Sequence, residues 1–330
     1  MPLRGEIITD GEAFEALAPH WWALWRNCTS ATPFQTPAWL LPWWRHFSPG
    51  RLTVIAVWRH SRLVGLAPFY LEEIKTRRLL PIGIALSDYL DVLIEPGCEG
   101  EAGDLIFKRG MEIGWDSWEF EELHPGSQAA AICCPGKLAN TTAIQNACPV
   151  IRLQGEDDLA GCVPARRRRQ LRRARASAIR RGTLAIEPVS GDTDAFLAHL
   201  FRLHGARWAE REENGILDSK VVQDFHRDAL AALSAFGLAR CSLIRIGDDV
   251  ASAYYGMSDG RRAYAYLGGF DPGFSEQSPG SILIGHAIAE AIREGVGEFH
   301  FLRGREAYKY SWGATDRWNQ RRSFHGIEQP

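Results

Sequence analysis

At 330 residues the chain exceeds a single ordinary core and is expected to form two domains of about 150 residues each. Its composition, 45% apolar and 24% charged with a formal charge of −2, is that of a folded soluble protein. No apolar run approaches the roughly 18 residues of a membrane-spanning helix, and the opening MPLRGEIITDGEAF lacks a signal-peptide core. The seven cysteines show no CxxC or CxxH spacing, which points away from a metal site and towards reduced thiols in a cytoplasmic protein.

In chain order, residues 11–27 read as a helix. Thr36-Pro37 then reads as an N-cap followed by proline at the first helical position, opening PAWLLPWWRHF. RLTVIAVW, LVGLAPFYLEE and RRLLPIG, joined by short polar turns, predict an antiparallel meander. DVLIEP is a further strand, residues 101–113 a helix, and SWEFEEL a strand again. Trp21, Trp22, Trp25, Trp39, Trp43 and Trp44 are expected as core or domain-interface rings.

A boundary is expected near residues 150–165, giving domains 1–155 and 156–330. Just beyond it lies PARRRRQLRRARASAIRRG, with nine arginines between Arg166 and Arg181 and no acid among them. Leu171, Ala174 and Ala178 give this linker helix only a narrow apolar stripe. Residues 192–213 and 219–236 then have helical apolar spacing. ARCSLIRIGDDVASAYYGMSDGRRAYAYLGGF is punctuated into three strands by GDD and SDG. Residues 279–295 read as a helix, EFHFL as a strand, REAYKYSW as a short helix, and RRSFHG marks a last strand. The same order of elements occurs in both halves, and consecutive strands pair directly. The fold class expected is therefore α+β, each domain a mixed, mostly antiparallel sheet flanked by helices.

The clearest chemistry follows the second meander. Gly268 and Gly269 mark a bulge or a close backbone approach. After a turn, Gln277-Ser278-Pro279-Gly280-Ser281 runs directly into an apolar helix. Such a loop aims several backbone N–H groups at one spot and, with the helix dipole, forms an anion cradle suited to a pyrophosphate. An ordinary capped helix, with Ser278 as N-cap and Pro279 in the first turn, accounts for the same residues without a ligand.

QSPGSI resembles the pyrophosphate loop of the GNAT acyltransferase superfamily, (Q/R)xxGx(G/A), matching at Gln277 and Gly280 and departing at Ile282. SDYLD at 87–91, LHGARW at 203–208, SPGSIL at 278–283 and FLRGREAYKYSWG at 301–313 resemble motifs of the bacterial cellulose-biosynthesis acetyltransferases of CelD/BcsL type. That family is related to the Fem-type peptidoglycan aminoacyltransferases, and the resemblance spans residues 30–325. It implies tandem GNAT-like domains, with the acceptor on the N-terminal side and the donor on the C-terminal side. Acetyl-CoA or another acyl-CoA is the implied co-substrate, held at Gly268, Gly269, Gln277, Ser278, Gly280 and Ser281. The implied acceptor is an amine or hydroxyl on a sugar or polysaccharide precursor.

Individual residues carry a functional and a structural reading side by side. His204 and Arg207 extend the apolar face of their helix. His204 is expected as a general base or a satisfied core histidine. Arg207, with Trp208, is expected at an acceptor's carboxylate or phosphate, or in an interdomain salt bridge. Asp88, Tyr89 and Asp91 enter a strand, where acids cap turns or hold an acceptor amine. In FLRGREAYKYSWG, Arg303 is expected at the substrate and Lys309 at the oxyanion or a phosphate. Tyr308, in the family's YK pair, is expected to protonate the leaving thiolate in preference to Tyr310. Arg168, Arg172 and Arg175 are expected to meet an anionic substrate, an acyl carrier protein or a polyanionic glycan intermediate near the interdomain cleft. DNA is not expected, because no stacking aromatics interleave the arginines. Transfer RNA enters only under the alternative, a Fem-like aminoacyltransferase. A third expectation is a catalytically silent scaffold of this fold in exopolysaccharide assembly.

Overall fold

A computed structural model of the chain describes residues 2–134, 138–153, 159–209 and 216–326, with the side chains of 206–209 and 216 outside the described set. The chain divides into two compact units, 1–146 with 318–330, and 147–317.

The first unit opens with a strand, β1 (Arg4–Ile8), that the sequence pattern did not announce. The helix expected over 11–27 is two helices, α1 (Gly11–Ala16) and α2 (Ala18–Asn27). Pro19 in the first turn of α2 has no N–H to continue the α1 ladder. α3 (Pro37–Phe47) starts at the expected Thr36-Pro37 pair. The meander is β2 (Arg51–Arg59), β3 (Arg62–Glu73) and β4 (Arg77–Pro81). β5 (Leu93–Ile94), α4 (Glu99–Met111), β6 (Ser117–Leu123) and α5 (Gln128–Ala131) follow, then β7 (Ala139–Arg152), which leads into the second unit.

In this unit's sheet β1, β2, β3 and β4 pair antiparallel in sequence, and β4 pairs parallel with β6. The next strand comes from the chain's end. Gln320 to His325 of β13 (Thr315–His325) pair antiparallel with β6. Asn319 ties the same segment down, its Nδ2 donating to Asp88 O at 2.9 Å and Glu122 Oε2 at 2.8 Å. Trp21, Trp22, Trp25, Trp39 and Trp43 are buried. Trp21 Nε1 and Trp25 Nε1 reach Gln35 O and Thr32 O, each at 2.8 Å, so their polar edges are satisfied inside.

The second unit contains α6 (Ala165–Arg181), β8 (Leu184–Pro188), α7 (Thr193–Ala209) and α8 (Lys220–Ala235). β9 (Ala239–Ile246), β10 (Asp249–Ser258), β11 (Arg262–Phe270), α9 (Pro279–Arg293), β12 (Glu298–His300) and α10 (Ala307–Ser311) complete it, together with the start of β13. Its sheet repeats the plan of the first. β8, β9, β10 and β11 pair antiparallel, β11 pairs parallel with β12, and residues 150–152 of β7 pair antiparallel with β12. The protein is thus an α+β chain whose two units each carry a mostly antiparallel set of strands with one parallel junction. Each sheet takes its last strand from a segment that the sequence pattern assigned to the other half.

α6 packs on α9 where Gly285 faces Leu171. A Cβ on Gly285 would stand 2.6 Å from Leu171 Cδ2, so the glycine permits the close crossing. Leu171 and Ala178 are buried there with Trp312, Ile282 and Leu283.

Candidate active site

The parallel junction of the second unit is short. Only Arg262, Ala263 and Tyr264 pair with Glu298, Phe299 and His300. β11 then runs on to Phe270 with its ladder to β10 maintained. The chain after His300 stays instead with residues 147–149, where Phe301 N donates to Pro149 O at 2.9 Å and Gly304 N to Ala147 O at 3.1 Å. Leu302 adopts φ +61° and Gly304 φ +109°, and the two edges diverge. The second half of β11 therefore presents backbone groups that no longer bond to β12.

The loop Gln277–Ser281 and the N-terminus of α9 follow β11. Ser278 is the N-cap residue, in the left-handed region at φ +47°, and its side chain makes no capping bond to the helix. Its Oγ points back to Ser275 O at 3.4 Å. Ser278 O accepts from Ser281 N at 3.0 Å and Ile282 N at 3.3 Å. Pro279 has no N–H, and the Gly280 N–H meets no acceptor among the described residues. A Cβ on Gly280 would meet nothing nearer than Ser252 Oγ at 4.0 Å, so there is open space beside that donor. Ile282, the departure from the GNAT loop pattern, is fully buried in the core and does not enter that space.

Other loop residues serve packing. Gln277 is buried, and its Oε1 accepts from Arg181 Nη1 at 2.9 Å. The same guanidinium lies 3.9 Å from the Phe274 ring centroid and donates to Gly273 O at 2.6 Å. Gly269, expected at the cofactor, has a different task. A Cβ there would stand 2.6 Å from His204 N and 2.7 Å from Leu203 C, so its missing side chain lets α7 lie against β11. Gly268 is less tight, its nearest contact being Ala253 O at 3.3 Å from a built Cβ.

Lys309, expected at an oxyanion or phosphate, is turned inward. Its side chain is 3% exposed, and Nζ donates to the carbonyls of Leu302 (3.2 Å), Arg303 (2.6 Å) and Gly304 (3.2 Å), with Glu306 Oε2 at 2.9 Å. Four oxygen atoms surround an ammonium with three N–H bonds, so the charge pins the strained 302–304 segment and is not offered to a ligand. Arg303, half-buried in that segment, takes part through its carbonyl. The two tyrosines diverge as their spacing requires. Tyr310 Oη donates to Asp316 Oδ1 at 2.7 Å, and desolvation and that carboxylate raise its phenol above the ordinary value. Tyr308 is 43% exposed, with its ring edge-on to Phe301.

His204 is 6% exposed on the inward face of α7. Its neighbour His226 packs against Tyr255 and Tyr266, and burial, helped by the charge of His204, lowers its imidazole to about 3. Arg207 and Trp208 lie on α7 outside the residues whose side chains are described.

In the first unit, the SDYLD residues expected to touch an acceptor point into the protein. Tyr89 is a core ring against Phe34 and His124. Asp91 accepts from Val92 N, Gln128 N and Ala129 N, each at 2.8 Å, and so anchors the start of α5; burial nevertheless pushes its carboxyl up to about 7. Asp88 is buried, and its carbonyl receives Asn319.

The arginine run divides by helical face. Arg172 and Arg175 are exposed with Arg166, Arg169, Arg173 and Arg180, while Arg168 spends its Nε on Val163 O at 3.1 Å. Arg167 and Arg181, not singled out from sequence, reach the loop Gln277–Ser281. They fall on the stripe of Leu171, Ala174 and Ala178, and that periodicity was the available signal.

Residues 165–310 match the model of the acetyltransferase (GNAT) domain family Acetyltransf_6. No curated protein matches the chain by sequence. Among solved structures, FemX superposes with a TM-score of 0.66 at 11% identity, covering 96% of each chain. A conserved protein of unknown function from Bacteroides thetaiotaomicron gives 0.61 at 12% identity, covering 94% of this chain and 97% of that one. A tandem GNAT protein from the clavulanic acid biosynthesis pathway gives 0.50 at 15% identity, covering 99% of this chain and 100% of that one. At these identities the superpositions speak for the fold, and the family match for the chemistry class. Residues 165–310 are therefore similar to acetyltransferase domains of the GNAT superfamily.

Proposed function

We propose that the protein is an acyltransferase whose second unit holds an acyl-CoA donor. The observation that carries this reading is the Gly280 N–H, unclaimed at the start of α9 with open space beside it. Ser278, Gly280 and Ser281 would hold the pyrophosphate, aided by the helix dipole. A bound acyl-CoA would supply an acyl group activated as a thioester. Tyr308 would give the proton of its Oη to the leaving group; its exposure, and the commitment of Tyr310 to Asp316, support that choice. We assign the acceptor to an amine or hydroxyl on a sugar or polysaccharide precursor, on the strength of the sequence resemblance. The experiment is calorimetric and thermal-shift titration with CoA and acetyl-CoA. A ligand at about 100 times its Kd stabilises the folded state by about 2.7 kcal/mol. Absence of both heat and shift removes the acyl-CoA reading.

A second reading, aminoacyl transfer from a charged tRNA, draws support from the six outward arginines of α6 and from the likeness in fold to FemX. It requires RNA that co-purifies at low salt and is released steeply as salt rises. Protein free of RNA under those conditions favours the CoA donor.

A further inference from the structure

Arg167 sits at the donor loop in a manner that the packing of the protein does not explain. Its Nη2 donates to Ser281 Oγ at 3.0 Å, and the guanidinium lies over the Trp312 ring, 4.2 Å from the centroid. Its other side-chain contact, Nη1 to Gln170 Oε1, is long at 3.5 Å. Nε is buried without an acceptor, and no carboxylate pairs with Arg167 among the described residues. Burial lowers the affinity of this guanidinium for its proton, with no opposing acid. It also stands beside the positive end of α9, where a second positive charge is unfavourable. A half-buried cation in this position is costly unless an anion joins it. The contrast with Arg181 is informative, since both polar contacts of Arg181 are to protein oxygens of the loop it holds.

We propose that Arg167 is a ligand for a phosphate group of the donor and makes the site selective for phosphate-bearing donors. This rests on the acyl-CoA reading above. A phosphate offers several oxygens, enough to accept from the guanidinium fork and the Gly280 N–H together. Trp312, beneath the guanidinium, keeps the fork in plane without consuming a donor.

The test is calorimetric titration of the full chain with CoA and with pantetheine, which lacks every phosphate. Wild type is compared with Arg167→Gln and Arg167→Lys. A charge-assisted hydrogen bond contributes enough for its loss to weaken binding about 10- to 100-fold. That loss is expected for CoA with Arg167→Gln and is partly recovered by Arg167→Lys, which restores the charge without the fork. Pantetheine should bind wild type and Arg167→Gln alike. The melting temperature of ligand-free Arg167→Gln should equal or exceed that of wild type, because an uncompensated charge has been removed. Equal CoA affinity in wild type and Arg167→Gln overturns the proposal and leaves the donor reading standing. Equal losses for CoA and pantetheine, or a lower ligand-free melting temperature, also overturn it by making Arg167 a packing residue. No CoA binding to wild type overturns the donor reading itself, and this proposal with it.

Discussion

Replacing Lys309 by Met separates a structural lysine from a catalytic one. Met keeps the length and apolar stem of the side chain but donates nothing, so the carbonyls of Leu302, Arg303 and Gly304 lose the ammonium that gathers them. Hydrogen bonds from a charged donor contribute about 1.5–3 kcal/mol each, so three give about 5–9 kcal/mol as an upper bound. Two effects reduce it. Arg303 and Gly304 are only half-buried, so their carbonyls can rehydrate, and Leu302 can leave its positive φ, recovering about 1–2 kcal/mol. A net loss of about 3–5 kcal/mol remains, similar to breaking other buried charged contacts. For a unit of this size each kcal/mol lowers Tm by roughly 2–4 °C, so Lys309→Met should melt about 10 °C lower. Differential scanning calorimetry measures this directly, with Lys309→Arg as a partial rescue. A variant that melts within about 2 °C of wild type yet has lost activity would refute the reasoning, since the charge would then be acting on a ligand.

Tyr308→Phe should lower kcat by about a hundredfold or more with little change in donor affinity, whereas Tyr310→Phe should keep most of its activity; steady-state kinetics of the pair decides, and equal behaviour sinks the assignment. Two alanines at glycines should give opposite phenotypes. Gly269→Ala drives a Cβ into the α7 backbone and should cost about 1–3 kcal/mol in urea unfolding, while Gly280→Ala should fold like wild type but bind CoA more weakly, and a destabilised Gly280→Ala would contradict the open space seen there. His226 is buried neutral, with its imidazole lowered from 6.5 to about 3. The unfolded chain therefore binds more protons in that window. The stability of the second unit should be fully present above about pH 6.5 and fall as pH drops toward 3. His226→Leu should flatten that limb of the denaturation curve, and an unchanged slope would assign the acid sensitivity elsewhere.

Periodicity and turn chemistry made much of the secondary structure legible. The two meanders, α3, α6, α8, α9, β6 and α10 all lie where alternation, helical spacing, proline and glycine place them, because those signals act over a few residues. β1, β7 and β8 escaped notice: β1 and β8 are five-residue strands, and the exposed first half of β7 reads as polar. The repeat of elements pointed to two similar sheets. That each sheet takes its sixth strand from the far end of a segment was not legible, since strand pairing depends on long-range hydrogen bonds such as β13 with β6.

The site divides in the same way. The sequence marked the Gly280 loop and the tyrosine pair, because glycine, proline and a helix start leave a local signature. It could not say which polar residues face inward. Asp91, Tyr89 and Gln277 look available in the sequence but are consumed by backbone N–H groups, rings and the Arg181 guanidinium brought to them from elsewhere in the chain, and Lys309 is consumed by the carbonyls of the turn just before it. Nine arginines in one run likewise look equivalent. Only the packing of α6 on α9 turns Arg167 towards Ser281 and Arg181 towards Gln277, leaving six of the others to the solvent. The chemical type of a residue is local information, whereas its partner depends on burial and on contacts distant in sequence, and these are settled by tertiary structure.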